Sequence, residues 1–166
     1  LLSNGKPCPA NHDGMGIVSA TGKGDALEVV LVRNHERMMS TRPLEASAIY
    51  DAIALSNGTE KAMAGGGTVT LRLRGEALLD MTPSLGGTLA NCAGGVTPWG
   101  SWLTCEETTE DLTPRGGQRH GYVFEVPADA RRTSGRPIVG MGRIRHEAAA
   151  VDPKSGYVYL TEDDPL

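Results

Sequence analysis

The sequence predicts an all-β protein built from antiparallel strands and tight turns. Glycine accounts for 22 of the 166 residues, which favours many turns and close approaches between backbone segments. Three strand-like runs end alike, in an apolar stretch followed by a polar residue and then acidic residues, at positions 32–36, 103–107 and 159–163. Repeated strand endings of this kind are typical of a β-propeller, in which equivalent strands line one central channel.

Individual strands are predicted in order along the chain. The runs that are rich in β-branched residues or that alternate apolar and polar positions are 27–33, 68–74, 99–107, 121–126, 148–151 and 156–160. The last two runs flank the turn sequence at 152–156 and predict a hairpin. Residues 43–57 predict a short helix or a packed loop, and the glycine-rich segment 82–97 predicts a loop. We expect about three propeller blades from a chain of this length, which is too few to close a ring.

Charge and hydropathy exclude two broad classes of protein. Lys and Arg total 16 against 20 Asp and Glu, and a net charge of −4 argues against a protein that coats nucleic acid. The sequence holds no apolar run of about 18 residues, so no membrane span is predicted. The chain begins with Leu1 and ends directly after a strand-like run. We therefore expect a fragment cut at both ends, without its leader.

The three cysteines leave the redox state open. Cys8, Cys92 and Cys105 can form one disulfide with one free thiol, or remain three free thiols. No CxxC pair occurs, so neither a zinc knuckle nor a thioredoxin-type motif is predicted. The sequence also lacks a phosphate-binding P-loop, a GxSxG nucleophile motif and an HExxH motif.

The segment that most strongly indicates chemistry places Cys105 beside Glu106 and Glu107. Adjacent carboxylates repel each other, and a multivalent cation removes that penalty. Carboxylate oxygens suit Ca²⁺, Mg²⁺ or Fe³⁺, whereas a thiolate favours a transition metal such as iron or zinc. Either glutamate can turn inward where the strand ends. The alternative interpretation is a buried cysteine followed by two solvated glutamates.

Other polar pairs allow the same two interpretations. Glu36 and Glu147 each follow a histidine, which suits a metal ligand supported by an imidazole or, alternatively, a surface or capping histidine. Asp13 lies in a predicted loop and is either a metal ligand or a turn residue. Three arginines near the acidic motifs can bind a phosphate through paired hydrogen bonds or remain surface charges, namely Arg33, Arg143 and Arg145.

Taken in order, seven segments resemble the PhoX family of bacterial alkaline phosphatases. These segments are 11–15, 33–36, 87–95, 97–107, 120–126, 146–149 and 158–163. The block TPWGSWLTCEE at 97–107 is very specific, and the resemblance extends over nearly the whole chain, from about residue 9 to 164. It implies a six-bladed β-propeller with a central cluster of iron and calcium ions that hydrolyses phosphate monoesters at alkaline pH.

The resemblance also implies a location and a domain assignment. Members of the family are exported, usually folded, through the twin-arginine route, so we expect a periplasmic or secreted protein. Residues 1–166 are then expected to form part of a β-propeller phosphatase domain. Because an unclosed propeller exposes strand edges and leaves the metal cage unfinished, we expect the fragment alone to be poorly stable and inactive.

By resemblance, specific residues receive roles. Cys105 is implied as a ligand of Fe³⁺, and carboxylates that hold Fe³⁺ or Ca²⁺ are expected among Glu36, Glu106, Glu107, Glu147 and Glu162. The catalytic residues are expected to be Asn34 and Arg145, and the partner to be a small phosphate monoester. The alternative function is a calcium-stabilised propeller that binds without turnover, which would have no use for a thiolate ligand. An all-β domain with incidental motifs is the third interpretation.

Overall fold

The computed structural model describes residues 1–56 and 58–164, and this part of the chain is all-β. Its strands are β1 (His12–Thr21), β2 (Glu28–His35), β3 (Met39–Ser40), β4 (Ala54–Ser56), β5 (Lys61–Ala64), β6 (Gly66–Arg74), β7 (Ala77–Thr88), β8 (Asn91–Val96), β9 (Ser101–Glu106), β10 (Val123–Pro127), β11 (His146–Val151) and β12 (Val158–Glu162). Short 3₁₀ turns lie at Gly24–Ala26, Thr113–Arg115, Ala130–Arg132 and Val139–Met141. Within the described residues, no helix has the length and apolar character needed to cross a membrane.

The strands of the described residues form four antiparallel sheets, none of which closes on itself. Their strand orders are β1-β2-β6-β7, β10-β9-β8, β11-β12 and β3-β5-β4. The predicted all-β class is confirmed, and the arrangement is compatible with part of a propeller. Most predicted strands are also confirmed, because the bounds of β2, β6, β9 and β10 lie within two residues of the predicted ones and β11 and β12 form the predicted hairpin.

One sequence-based assignment is wrong, and the structure decides between the two alternatives of another. The segment 82–97 was predicted as a loop but lies mostly in β7 and β8. Its glycines occupy strands that pass very close to other backbone, as at Gly86, where a Cβ would overlap the carbonyl oxygen of Leu44. Residues 43–56 form no helix, because Tyr50 and Asp51 donate backbone hydrogen bonds to Gly86 and Gly87 and hold this stretch against β7. Position 57 of the predicted segment lies outside the described residues.

The core lies on both faces of β9. Trp102 packs on one face in a cluster that joins the four-stranded and three-stranded sheets, together with Val18, Val32, Ala48, Leu85, Phe124 and Val126. Leu103 and Cys105 point to the other face, where they pack with Val123 and Ala149. This alternation follows from the two-residue period of a β-strand. The face that Cys105 occupies is therefore an apolar one.

Three strand pairs share one irregularity at the same place. The pairs β1/β2, β8/β9 and β11/β12 each have a terminal residue pair followed by a register shift on the first strand. The terminal pairs are His12↔His35, Asn91↔Glu106 and His146↔Glu162, and the shifts extend to Met15, Gly94 and Ala149. A bulge of this kind re-aims the side chains beside it. Because β8 packs against both β1 and β11, the three bulged ends lie next to one another.

Glycine is required where β8 meets β11. A Cβ on Gly95 would overlap the carbonyl oxygen of Ala149, whereas a Cβ on Gly140 would meet nothing within 4 Å. We expect Gly95→Ala to lower the free energy of unfolding by about 1–3 kcal/mol, the usual cost of overpacking. The matched control Gly140→Ala is expected to be within about 0.5 kcal/mol of the parent protein. Urea unfolding of both variants tests this, and equal stabilities would contradict the close approach of β8 and β11.

Candidate metal centre

Cys92, Glu107 and Glu147 form a compact group of potential metal ligands at the bulged strand ends. One ligand atom from each residue lies within 4.8 Å of the others. The Cys92 Sγ is 3.4 Å from a carboxylate oxygen of Glu147 and 3.9 Å from one of Asp13. Each of the three strand pairs thus contributes to one site, which we call the acidic thiol cluster.

Further carboxylates surround this cluster. Glu36 interacts electrostatically with Asp13 and Glu147. The carboxyl group of Asp163 interacts with that of Glu107. The positions are equivalent in the three strand pairs: the second residue of the first strand and the first residue after the second strand. They are Asp13 with Glu36, Cys92 with Glu107, and Glu147 with Asp163.

The crowding of acids is visible in the proton affinities. Burial raises the pKa of the Cys92 thiol, and hydrogen bonds with Glu147 and the charge of Asp13 raise it further. Burial and the hydrogen bond with Asp163 raise the pKa of Glu107. Burial, Asp13 and Glu147 likewise raise the pKa of Glu36. Deprotonating these groups together is unfavourable unless a cation lies among them.

The donor set fits the expected metals. A thiolate together with carboxylates suits a transition metal such as iron, and the surrounding carboxylate oxygens suit a hard cation such as Ca²⁺. A cation in the cluster would offset the burial and the repulsion between acids that raise the pKa values of Cys92, Glu107 and Glu36. The cluster is therefore a chemically reasonable metal centre.

An open cavity of about 520 Å³ borders the cluster. Glu36, Glu107 and Arg145 line it, together with Thr108 and Asp111. The guanidinium of Arg145 lies 3.2 Å from a carboxylate oxygen of Glu107. Because Arg145 is only partly buried, its remaining N–H groups can donate hydrogen bonds to an anion in this cavity.

The position of Cys92 depends on the buried side chain of Asn34. The Asn34 amide donates hydrogen bonds to the carbonyl oxygens of Cys92 and Ala93, at 2.9 and 2.8 Å. Its own oxygen accepts from Trp102 Nε1 at 2.9 Å and from the Thr104 hydroxyl at 2.8 Å. Asn34 was expected to be catalytic, but these four bonds use its full hydrogen-bonding capacity. The structure gives it a positioning role behind the cluster.

Two further expected ligands lie outside the group formed by Cys92, Glu107 and Glu147. Cys105 is fully buried among apolar side chains, and burial together with the charge of Glu147 raises the pKa of its thiol to about 12. Glu106 is also fully buried, and its oxygens accept from the backbone N–H groups of Leu89, Gly121 and Tyr122 and contact His120 Nδ1 at 2.7 Å. The surroundings of the two residues thus differ from those of the cluster: Cys105 lies on the apolar face of β9, and the carboxylate of Glu106 is hydrogen-bonded by protein donors.

Of the remaining expected residues, all but Glu162 lie at the cluster or at its edge. Glu36, Glu107 and Glu147 lie at the cluster, and Arg145 lies at its edge. Glu162 is exposed and pairs across the sheet end with His146, so the next residue, Asp163, reaches Glu107 instead. The shift by one residue follows from the place where β12 ends.

Sequence reasoning missed Cys92 and Asp163 as members of the cluster and left Asp13 open between a metal ligand and a turn residue. One signal was present: a His or Asn, then a potential ligand, then a small residue, at 12–14, 91–93 and 146–148. Each triplet begins the first strand of a bulged pair. The repeat was masked because the ligand differs each time, being Asp, Cys or Glu.

A comparison with family models identifies the chain's relatives. A model described as alkaline phosphatase PhoX matches residues 54–166. The chain belongs to this family. The PhoX match includes Cys92, Glu107, Glu147 and Arg145, whereas Asp13 and Glu36 precede it. The resemblance read from the sequence motifs is thus confirmed. Searches of curated proteins and of solved structures found no match.

The buried network of His120, Glu106 and Asp51 makes the stability of the fold depend on pH. His120 contacts Glu106 at 2.7 Å and Asp51 at 3.3 Å, and all three side chains are buried. Burial by itself lowers the pKa of His120, but the hydrogen bonds with Glu106 and Asp51 outweigh it and raise the pKa above 6.5. The protonated imidazole thus stabilises the fold fully below pH 6.5, and this contribution is lost as the pH rises through the raised pKa.

We expect His120→Gln to lower the free energy of unfolding by about 3 kcal/mol at pH 6, because it removes one partner of a buried charged network. The difference from the parent protein should shrink as the pH rises above 6.5, since neutral His120 loses its charge interaction there. Chemical unfolding at several pH values tests this. A destabilisation that is independent of pH between 6 and 9 would contradict a change in the protonation state of His120 in this range.

Proposed function

We propose that this chain is part of a metal-dependent phosphomonoesterase whose metal centre is the acidic thiol cluster. The observation that carries the proposal is a cysteine thiol among carboxylates, beside a cavity that an arginine lines. Membership of the alkaline phosphatase PhoX family supports it. Fe³⁺ would be held by Cys92 with Glu107 and Glu147. Ca²⁺ would be held by the outer carboxylates, which are those of Asp13, Glu36 and Asp163.

The bound cations would neutralise a phosphate dianion, polarise its phosphoryl oxygens and lower the pKa of a water molecule. The protein's own contribution is to hold the ligands and to orient the substrate. Arg145 would bind two phosphate oxygens through its planar guanidinium and remain bonded to them as charge spreads in the transition state. A cation on Glu107 would compete with Arg145 for that carboxylate and so favour the release of Arg145 toward the substrate.

We further propose that residues 1–166 are part of a β-propeller phosphatase domain of an exported protein. The open sheets and the three equivalent bulged strand pairs support this assignment. Because sheet edges remain unpaired in such a piece, the isolated chain is expected to be poorly stable and inactive. The natural substrate would be a small phosphate monoester, in keeping with a cavity of about 520 Å³.

A calcium-stabilised binding module without turnover is the competing proposal. Carboxylates alone would satisfy Ca²⁺, which has little affinity for sulfur ligands. The central position of the Cys92 thiol therefore favours the enzyme over the binding module.

Substitution of Cys92 tests the assignment of the thiol. In the purified protein that contains this chain, we expect Cys92→Ser to lose iron and to reduce p-nitrophenyl phosphate hydrolysis by more than about 100-fold. This loss of activity exceeds the effect of removing a residue that only hydrogen-bonds a metal ligand, which is about 10–100-fold. The matched control Cys105→Ser should keep iron and activity while losing about 1–3 kcal/mol of stability, because it buries a hydroxyl group. Iron lost only from the Cys105 variant would restore the original assignment of Cys105.

Substitution of Arg145 tests the anion site. We expect Arg145→Gln to lower kcat/KM for a phosphate monoester by about 10–100-fold, because hydrogen bonds to charged groups contribute about 1.5–3 kcal/mol. Inorganic phosphate should inhibit the variant more weakly by a similar factor, while bound metals are unchanged. The exposed Arg136 provides the control variant, Arg136→Gln, with parental kinetics expected. Unchanged phosphate inhibition in Arg145→Gln would remove Arg145 from the substrate site.

A further inference from the structure

We propose a second metal site, formed by Cys8, His12 and His35, that binds a borderline divalent transition metal such as Zn²⁺. One potential ligand atom from each of the three residues lies within 4.8 Å of the others. His12 and His35 are directly opposed at the end of β1 and β2. The site lies beside the acidic thiol cluster but shares no ligand with it.

The buried imidazole of His35 provides the strongest evidence. His35 has no solvent exposure, and its Nδ1 lies 3.2 Å from the carbonyl oxygen of Ala10, to which it donates. The other ring nitrogen, Nε2, is buried and has no hydrogen-bond partner among the described residues. The hydrogen bond at Nδ1 leaves the lone pair on Nε2, which is the arrangement of a metal-binding histidine held by a backbone carbonyl. A buried polar atom without a partner is costly, and a metal ion would satisfy it.

Cys8 and His12 complete the group. The Cys8 Sγ lies 3.9 Å from His12 Nε2, which donates to the carbonyl oxygen of Pro9 at 3.0 Å and would exchange this bond for the metal ion. The His12 and His35 rings meet edge to face with centroids 5.0 Å apart. Cys8 also lines a cavity of about 570 Å³, which gives an ion a path to the site.

The donor set selects the class of metal. Two imidazoles and a thiolate suit zinc and similar transition metals, and the absence of a carboxylate from the set disfavours Ca²⁺. The Arg33 guanidinium donates to the Cys8 Sγ at 3.2 Å. In the metal-bound site, Arg33 would remain an outer donor to the sulfur. Three protein ligands leave a fourth position for water.

The two sites divide consecutive residues between them. Asp13 and Glu36 take part in the acidic thiol cluster, whereas their neighbours His12 and His35 take part in the second site. Neighbouring residues of a strand point in opposite directions, so one strand pair can supply two sites. The proposal rests on this geometry and does not depend on phosphatase activity.

Metal titration of the purified protein tests the proposal. Under reducing conditions, Co²⁺ is the spectroscopic probe, because a thiolate ligand gives it a charge-transfer band. We expect Cys92→Ser to retain a thiolate-Co²⁺ band and the double variant Cys92→Ser/Cys8→Ser to lose it. In the Cys92→Ser background, adding Cys8→Ser or His35→Gln should weaken Zn²⁺ binding at this site by more than about 100-fold. Losing a residue that only hydrogen-bonds a ligand weakens metal binding by less, about 10–100-fold.

A second variant distinguishes the loss of metal binding from a loss of the fold. His12 is exposed, so His12→Asn should leave the fold intact, as circular dichroism can verify, and still lower the Zn²⁺ stoichiometry by one ion per chain. The control Cys105→Ser should keep both the band and the stoichiometry. If the thiolate-Co²⁺ band disappears with Cys92→Ser alone, or if Zn²⁺ stoichiometry is unchanged in His12→Asn, the second site does not exist.

Discussion

The candidate centre depends on the hydrogen bonds of the Asn34 side-chain amide. This amide lies on β2, donates to two successive carbonyl groups of β8 and accepts from two side chains of β9. The carbonyl groups of Cys92 and Ala93 lie inside the bulge, where regular strand pairing is interrupted. A buried carbonyl group without a partner is unfavourable, so the Asn34 amide stabilises the bulge and with it the direction of Cys92. Three strands are joined at one side chain directly behind the thiol.

The same bulge in three strand pairs explains how acidic groups from distant parts of the chain converge. Each pair contributes two groups, because the bulge turns the second residue of the first strand toward the residue that follows the second strand. Glycine makes the approach of the pairs possible: a Cβ on Gly14 would lie 2.8 Å from the Cα atom of Ala93. The acidic cluster is thus a product of backbone geometry repeated along the chain, with the chemistry of each ligand varied on the same frame.

This repetition also shows how far the sequence alone could lead. Strand-like runs of apolar residues predicted β2, β6, β9 and β10, because side chains of these strands form much of the core. The strands β7 and β8 were missed where glycines serve close packing and therefore look like a loop. Cys105 was preferred over Cys92 because it stands beside two glutamates in the sequence. Strand alternation places Cys105 on the apolar face, and only the bulge, a three-dimensional feature, brings Cys92 to the acids.

Glu106 and Glu107 differ in how the protein compensates the charge of each carboxylate. The two residues are consecutive and chemically identical. The oxygens of Glu106, however, accept hydrogen bonds from three backbone N–H groups and contact His120. The protein itself thus compensates the charge of Glu106. Glu107 instead meets Asp163, Glu147 and the thiol of Cys92, and among the described residues one ion pair, with Arg145, offsets its charge. Such a carboxylate is stabilised in its charged form by a cation from outside the chain, which is the property expected of a metal ligand.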